Sequence, residues 1–205
     1  MAMMVQVLPL TAAVRDRMPA PCADCVFWQH PRRATSARLK ERWTRSADED
    51  LGSWGRMLFE DQRFRGLVQY GPSERFPRAR TLPAGPPGRA AALITCAYLA
   101  PEDAPGTCER LVLEALADLK ARGWAAVEAF ALGYPDEVPI ADRFVGHHTL
   151  FDRAFLARLG FEPSRVHGQV ALMRLALAGL EPAAGLAERL ARRLWPEDAP
   201  GPAST

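Results

Sequence analysis

The residues from Ala90 to Phe161 constrain this chain more than any other part of it. They read as an apolar strand (Ala90–Leu99), a glycine turn (Pro105-Gly106-Thr107), an amphipathic helix (Cys108–Arg122), a second strand (Ala125–Leu132) and a later helix that closes on Leu159-Gly160-Phe161. That order is a β-turn-α-β unit with its turn at a helix N-terminus, where backbone N–H groups can hold a phosphate. It points to a nucleotide-bearing cofactor.

The rest of the chain sets bounds on that unit. A length of 205 residues, with 48% hydrophobic and 24% charged residues, is enough for one soluble domain with a proper core. A net charge of +2 makes no field that would draw nucleic acid or an anionic membrane surface. The cations are nearly all arginine, Lys40 and Lys120 being the only lysines. No run of apolar residues reaches the ~18 that a membrane span needs. Met1–Leu10 has no basic segment followed by an apolar stretch and a cleavage site, and four cysteines in a chain of this size make no disulfide framework. The expected location is cytoplasmic.

Before the unit, Val5–Leu10 reads as a strand, and Thr11 is placed to cap a short helix through Arg17. Met18–Pro31 is a proline-bounded loop. From Thr35 to Phe59 the apolar spacing, Leu39 to Trp43 and Trp54 to Leu58, is helical, with Gly52 and Gly55 expected to split the run into two helices. Phe64–Tyr70 is a strand, and Ser73–Gly88 a long connection with a short edge strand. After the unit's second strand, a helix from about Thr149 to Leu159 carries Phe151, Phe155 and Leu159 at i,i+4 spacing. Phe161–Val166 and Gln169–Leu177 form a hairpin around His167-Gly168. Residues 1–178 are expected to form one domain, 179–196 a C-terminal amphipathic helix, and 197–205 a disordered tail.

In order and spacing, Leu67–Tyr70, Leu93–Leu99, Gly106–Leu116, Gly123–Phe130 and Phe155–Phe161 resemble the GNAT superfamily of N-acetyltransferases, in a branch where a Pro-Cys-x-x-Cys-x-Phe-Trp segment (Pro21–Trp28) precedes the core. The resemblance covers Val5 to Leu177. It implies an α/β (α+β) fold with a mixed, mostly antiparallel sheet whose two central strands splay apart, flanked by helices. It also implies transfer of an acyl group, most simply acetyl from acetyl-CoA, to an amine of a small molecule or protein by direct attack in a ternary complex. By analogy the backbone of Cys96, Ala97, Tyr98 and Leu99 binds the pantetheine arm. Gly106, Thr107, Cys108, Glu109 and Arg110 would form the pyrophosphate turn.

That turn usually reads Gln/Arg-x-x-Gly-x-Gly/Ala in the superfamily, whereas here it reads Asp103-Ala104-Pro105-Gly106-Thr107-Cys108. Pro105 removes an N–H donor. Glu102, Asp103 and Glu109 set negative charge where the pyrophosphate would lie, and one like-charge pair ~5 Å apart costs roughly 3 kcal/mol at an effective dielectric near 20. The same three acids also suit a helix start. Leu156 stands where many of these enzymes carry a tyrosine that protonates the departing thiolate. A second reading is therefore a catalytically weak or inactive protein of the same fold that binds a ligand or regulates.

Glu128 is the expected general base and Tyr98 an acid that could reach the thiolate; the alternatives are a solvent-facing strand residue and a core aromatic. His147 and His148 either act in the site or cap the late helix. Phe27, Trp28 and Trp54 either line an acceptor pocket or pack helices on the sheet. Cys22 and Cys25, with His30 near, leave structural packing, metal binding and redox pairing open, but a closed zinc site needs four ligands and no second pair follows. No metal is expected. The 181–195 segment is a homodimer element or docks on its own domain.

Overall fold

Asp61 and Gln62 both take positive φ (47° and 65°), which closes a two-residue hairpin between β2 (Gly55–Glu60) and β3 (Arg63–Pro72). In the computed structural model, which describes residues 4–144 and 146–178, this hairpin seeds one sheet. β1 (Val5–Pro9) lies outside β2, and β4 (Ala91–Leu99), β5 (Ala126–Leu132), β9 (Val170–Ala176) and β8 (Glu162–His167) continue the sheet beyond β3. Two short strands, β6 (Gly146–His148) on β4 and β7 (Phe151–Asp152) on β5, complete it. Neighbours along the main order run antiparallel except β4 and β5, which are parallel and joined by α3 (Ala104–Ala121).

Each face of the sheet carries its own core. On one, α3 buries Ala104, Cys108, Leu111, Val112, Ala115, Leu116 and Leu119, and α4 (Arg153–Arg158) adds Phe155 and Leu156. The other face is covered by α1 (Ala20–Ala23), α2 (Ala37–Leu51) and the 73–90 connection, with Trp28, Trp54, Phe76 and Phe130 buried beneath them. The largely apolar strand β4 is central and covered on both faces, as its composition requires. No described helix is long and apolar enough to cross a membrane.

Several sequence expectations change. The second helix expected after Gly52 is the strand β2: Gly52 ends α2 at φ +69°, and β2 is then zipped between β1 and β3. Trp54 and Leu58 have helical spacing, but pairing on both edges outweighs a weak local preference. The 73–90 connection holds 3-10 turns at Ser73–Arg75 and Pro77–Arg80 and no strand. Thr11 precedes a 3-10 turn without a side-chain capping bond. α3 begins one turn early, at Ala104, with Asp103 in the left-handed region before it, so the glycine turn lies inside the helix's first turn. The late helix is shorter than expected: residues 146–148 and 151–152 are strand, and Asp152 caps α4 by accepting from the Ala154 N–H at 2.7 Å. The expected C-terminal helix and tail lie outside the described residues.

Candidate functional site

β4 and β5 stay paired only from Ala91–Ile94 against Ala126–Ala129. Past that point they part, which is the splay the resemblance implies. A bulge in the β3–β4 ladder marks the same level: Gln69 faces Cys96 while Tyr70 faces Ile94, so Thr95 is the extra residue. The Thr95 hydroxyl donates to the Gln69 carbonyl at 3.2 Å. The backbone of Ala97, Tyr98 and Leu99 beyond the bulge is not free. β3 takes one edge, and β6 takes the other, pairing Ala97 with His148, Tyr98 with His147 and Leu99 with Gly146. β7 runs along the parted edge of β5, placing Phe151 beside Ala131.

The backbone groups expected to hold a pantetheine arm are hydrogen-bonded to β3 and β6 in this structure. A strand edge offers each N–H and C=O outward once. The chain's own 146–148 segment takes up that edge. The two histidines expected as caps are instead strand residues of β6.

The start of α3 is also occupied. Asp103 adopts φ 48° and ψ 47°, and a Cβ added at Gly106 would collide with the Asp103 carboxylate, which fills the space over the glycine. Pro105 stands in the first turn without an N–H. Cys108 is buried against the sheet, and burial pushes its thiol well up from the ordinary value. Of the expected turn residues, Gly106 and Glu109 are half-buried and Arg110 exposed, while Thr107 and Cys108 face inward. Nearby, Arg65 is committed to Glu60 and to Glu102, donating to the Glu102 carbonyl oxygen at 2.7 Å.

The two residues expected to handle protons sit in different places. Tyr98 lies on the open half of β4 and packs against Phe64 with ring centres 6.1 Å apart. Glu128 lies opposite Leu93, on the closed half, about 16 Å along the strand direction from Tyr98 at ~3.3 Å per residue. Its carboxylate is buried, accepts from the Gly88 N–H at 2.7 Å and pairs with Arg174 at 2.8 Å. Glu128 is thus neither solvent-facing nor at the splay. It clamps the 73–90 connection and β9 to β5. Leu156 is wholly buried and supplies no acid.

Phe27, Trp28 and Trp54 are brought to the face opposite α3. Trp28 stacks on Phe130 at 5.9 Å and meets Phe27 edge-on, and Trp54 meets Trp43 edge-on and donates its indole N–H to Asp48 at 3.0 Å. Trp28 and Trp54 are interior packing as well as walls of a small cavity beside Cys96. All four cysteines are free, and among the described residues no group of three or more His, Cys, Asp or Glu is arranged to hold a metal ion. Sequence reasoning missed Lys40 in that cavity. The signal was present: Lys40 is four residues before Thr44 and seven before Ala47, on the buried stripe of α2.

No family model matches this chain, and no curated protein matches it in sequence. Solved structures do. yncA of Salmonella typhimurium, assigned as an acetyltransferase and solved with its cofactor acetyl-CoA, is 13% identical, with 87% of this chain and 97% of that one covered at a TM-score of 0.51. An N-acetyltransferase from Staphylococcus aureus Mu50 is 10% identical, with coverages of 85% and 99% and a TM-score of 0.50. At these identities the likeness concerns architecture: the chain has the mixed, mostly antiparallel fold of GNAT acetyltransferases.

Proposed function

We propose that this protein is an acyl-coenzyme A-dependent N-acyltransferase that moves an acyl group, most simply acetyl, to an amine. The observation that carries this reading is the parting of β4 and β5 immediately beyond the Thr95 bulge, with the N-terminus of α3 at the head of the crossover. In direct attack the neutral acceptor nitrogen bonds to the thioester carbonyl carbon and sheds a proton to solvent, the carbon–sulfur bond breaks, and the thiolate takes a proton. Tyr98, on the open half of β4, is our candidate for giving that proton; the buried ion pair of Glu128 fits a structural clamp instead. The acceptor is a small molecule or a protein amine, and the location we propose is the cytoplasm.

In the conformation described here β6 holds the β4 edge and the Asp103 carboxylate lies over Gly106. Binding requires β6 to leave the β4 edge and the Asp103 carboxylate to turn from Gly106. Those two observations favour the second reading, a binding or regulatory protein of the same fold. Thermal unfolding with and without millimolar acetyl-CoA separates the two. One-site binding at 100 times Kd adds about 2.7 kcal/mol, and an unshifted transition would favour the second reading.

Asp103→Gly sharpens the test. Glycine suits a φ of 48° without strain, and its use removes the carboxylate. Acetyl-CoA affinity is expected to rise about tenfold, or ~1.4 kcal/mol, by titration calorimetry. Unchanged affinity would show that the carboxylate is not in the phosphate's way.

A further inference from the structure

α2 buries a lysine where an amphipathic helix normally buries a hydrocarbon. Lys40 is 3% exposed and shares the inner face of the helix with Thr44 and Ala47. Among the described residues, neither a carboxylate nor a hydrogen-bond acceptor is its partner; its ammonium nitrogen lies 5.2 Å from the Trp54 ring centre and 5.6 Å from that of Trp43. The titratable groups around it are the thiols of Cys22 and Cys25 from the N-terminal segment, Cys96 from β4, and the Arg15 guanidinium. Desolvation is the largest influence and lowers its pKa from the ordinary 10.5; Arg15 lowers it further, while the thiols act the other way. Burial pushes the Cys96 thiol up to about 12 and that of Cys22 higher still, so those two stay neutral near pH 7 and provide no counter-charge.

The choice of residue is informative. Arg56, Arg65, Arg75, Arg122, Arg143 and Arg174 all make ion pairs in this structure, and each is a cation that cannot lose its proton. Lys40 is one of only two lysines in the chain, and it sits where an unpaired charge is most costly. An amine can solve that problem by becoming neutral, and a neutral amine is a nucleophile.

Lys40 also faces space. With Cys22, Cys25, Cys96, Gln29 and Gln69 it lines a cavity of about 20 Å³, room for a water-sized group. Trp28, whose indole N–H has no partner among the described residues, lines the same cavity. Its outer wall includes Gln29, whose amide donates to Gln69 Oε1 at 2.7 Å. On the other side of Gln29 lies a cleft of about 340 Å³ lined by His30, Arg42, Trp43 and Ser46. Gln29 lines both the cavity and the cleft, Trp43 lines the cleft with its ring centre 5.6 Å from the amine, and Cys96 places the cavity beside the bulge of β4.

We propose that Lys40 is an internal acyl acceptor, its amine attacking the carbonyl carbon of an acyl thioester admitted when Gln29 leaves Gln69 and joins the water-sized cavity to the neighbouring cleft. The Lys40 nitrogen forms the amide bond, the carbon–sulfur bond breaks, and the thiol leaves with the proton shed by nitrogen. The inference goes beyond the coenzyme A reading, because a short thioester needs neither the pyrophosphate turn nor the open edge of β4.

The test uses the full chain with S-acetyl-N-acetylcysteamine and, separately, acetyl-CoA, followed by intact mass and peptide mapping. With only two lysines, the map compares Lys40 and Lys120 within one sample. The expected result is a hydroxylamine-resistant acetyl group on Lys40, formed at least tenfold faster than on Lys120, with a rate that levels off below pH 10.5. Lys40→Arg, checked for folding by its thermal transition, should lose the label. Labelling of Lys120 or the N-terminus in preference, a hydroxylamine-sensitive label confined to cysteine, or no label would overturn the proposal. Labelling by the short thioester but not by acetyl-CoA would uphold Lys40 while counting against the coenzyme A reading.

Discussion

Replacing Asp118 by alanine is expected to destabilise the protein by about 3–5 kcal/mol, the cost of removing one partner from a buried charge cluster. Asp118 projects from α3 toward the sheet. One carboxylate oxygen accepts from Arg56 of β2 at 2.5 Å; the other accepts from the Tyr70 hydroxyl of β3 at 2.8 Å and pairs with Arg122 at 2.8 Å. Tyr70 is fully buried, and its hydroxyl pKa is pushed up well above the ordinary value, chiefly by burial. Without Asp118, a buried hydroxyl and two half-buried guanidinium groups lose their shared acceptor. Urea unfolding followed by circular dichroism measures the loss through its midpoint. Asp118→Asn, which keeps an acceptor for Tyr70 but not the charge, should fall between wild type and alanine. This cluster ties the C-terminal end of α3 to β2 and β3. A change under 1 kcal/mol for the alanine variant would mean that α3 is held by its apolar face alone.

Glu128 gives the second large effect, in a direction that separates two roles. Glu128→Gln leaves Arg174 without its counter-charge and weakens the contact to the Gly88 N–H. Arg174 is 40% exposed and can rehydrate, so the expected loss is about 2 kcal/mol rather than the full cost of a dry pair. In a protein of this size that lowers Tm by ~4–8 °C. Acetyl-CoA affinity of the folded variant is expected to be unchanged, and any turnover should fall only with the folded fraction. A variant of wild-type stability with abolished turnover would restore Glu128 as a base.

The sequence made the architecture legible wherever a single period ran unbroken. β4, α3, β5 and the β8–β9 hairpin lie within a few residues of their expected bounds, because Leu111, Val112, Ala115, Leu116 and Leu119 make one stripe and Gly123 ends it at φ +81°. Misreadings cluster where pairing partners distant in sequence decide the local state. Trp54 and Leu58 match a helix by spacing, but β1 and β3 enclose that segment. Phe151 and Phe155 match a helix too, yet Phe151 is drawn into the parted edge of β5 and Asp152 starts the helix afresh.

The candidate site was legible in part for the same reason. Cys96–Leu99 could be placed on the central strand, but nothing local announces that residues 146–148 return to cover it. Asp103 was visible as a charge at the turn, but its left-handed backbone, which aims the carboxylate over Gly106, was not. Glu128 looked available because its ion-pair partner Arg174 is 46 residues away in the chain. Lys40 stands among Arg38, Arg42 and Arg45, which mask the buried stripe it shares with Thr44 and Ala47.

The central claim is that one edge of β4, at Ala97–Leu99, serves both β6 and an acyl-coenzyme A arm. Amide hydrogen exchange with and without saturating acetyl-CoA tests it most directly. The account predicts that the amides of residues 146–148 lose protection when acetyl-CoA binds, while those of Ala97–Leu99 remain protected by the new partner. Protection at 146–148 that persists at saturation, or an exchange pattern that acetyl-CoA leaves untouched throughout, would contradict it.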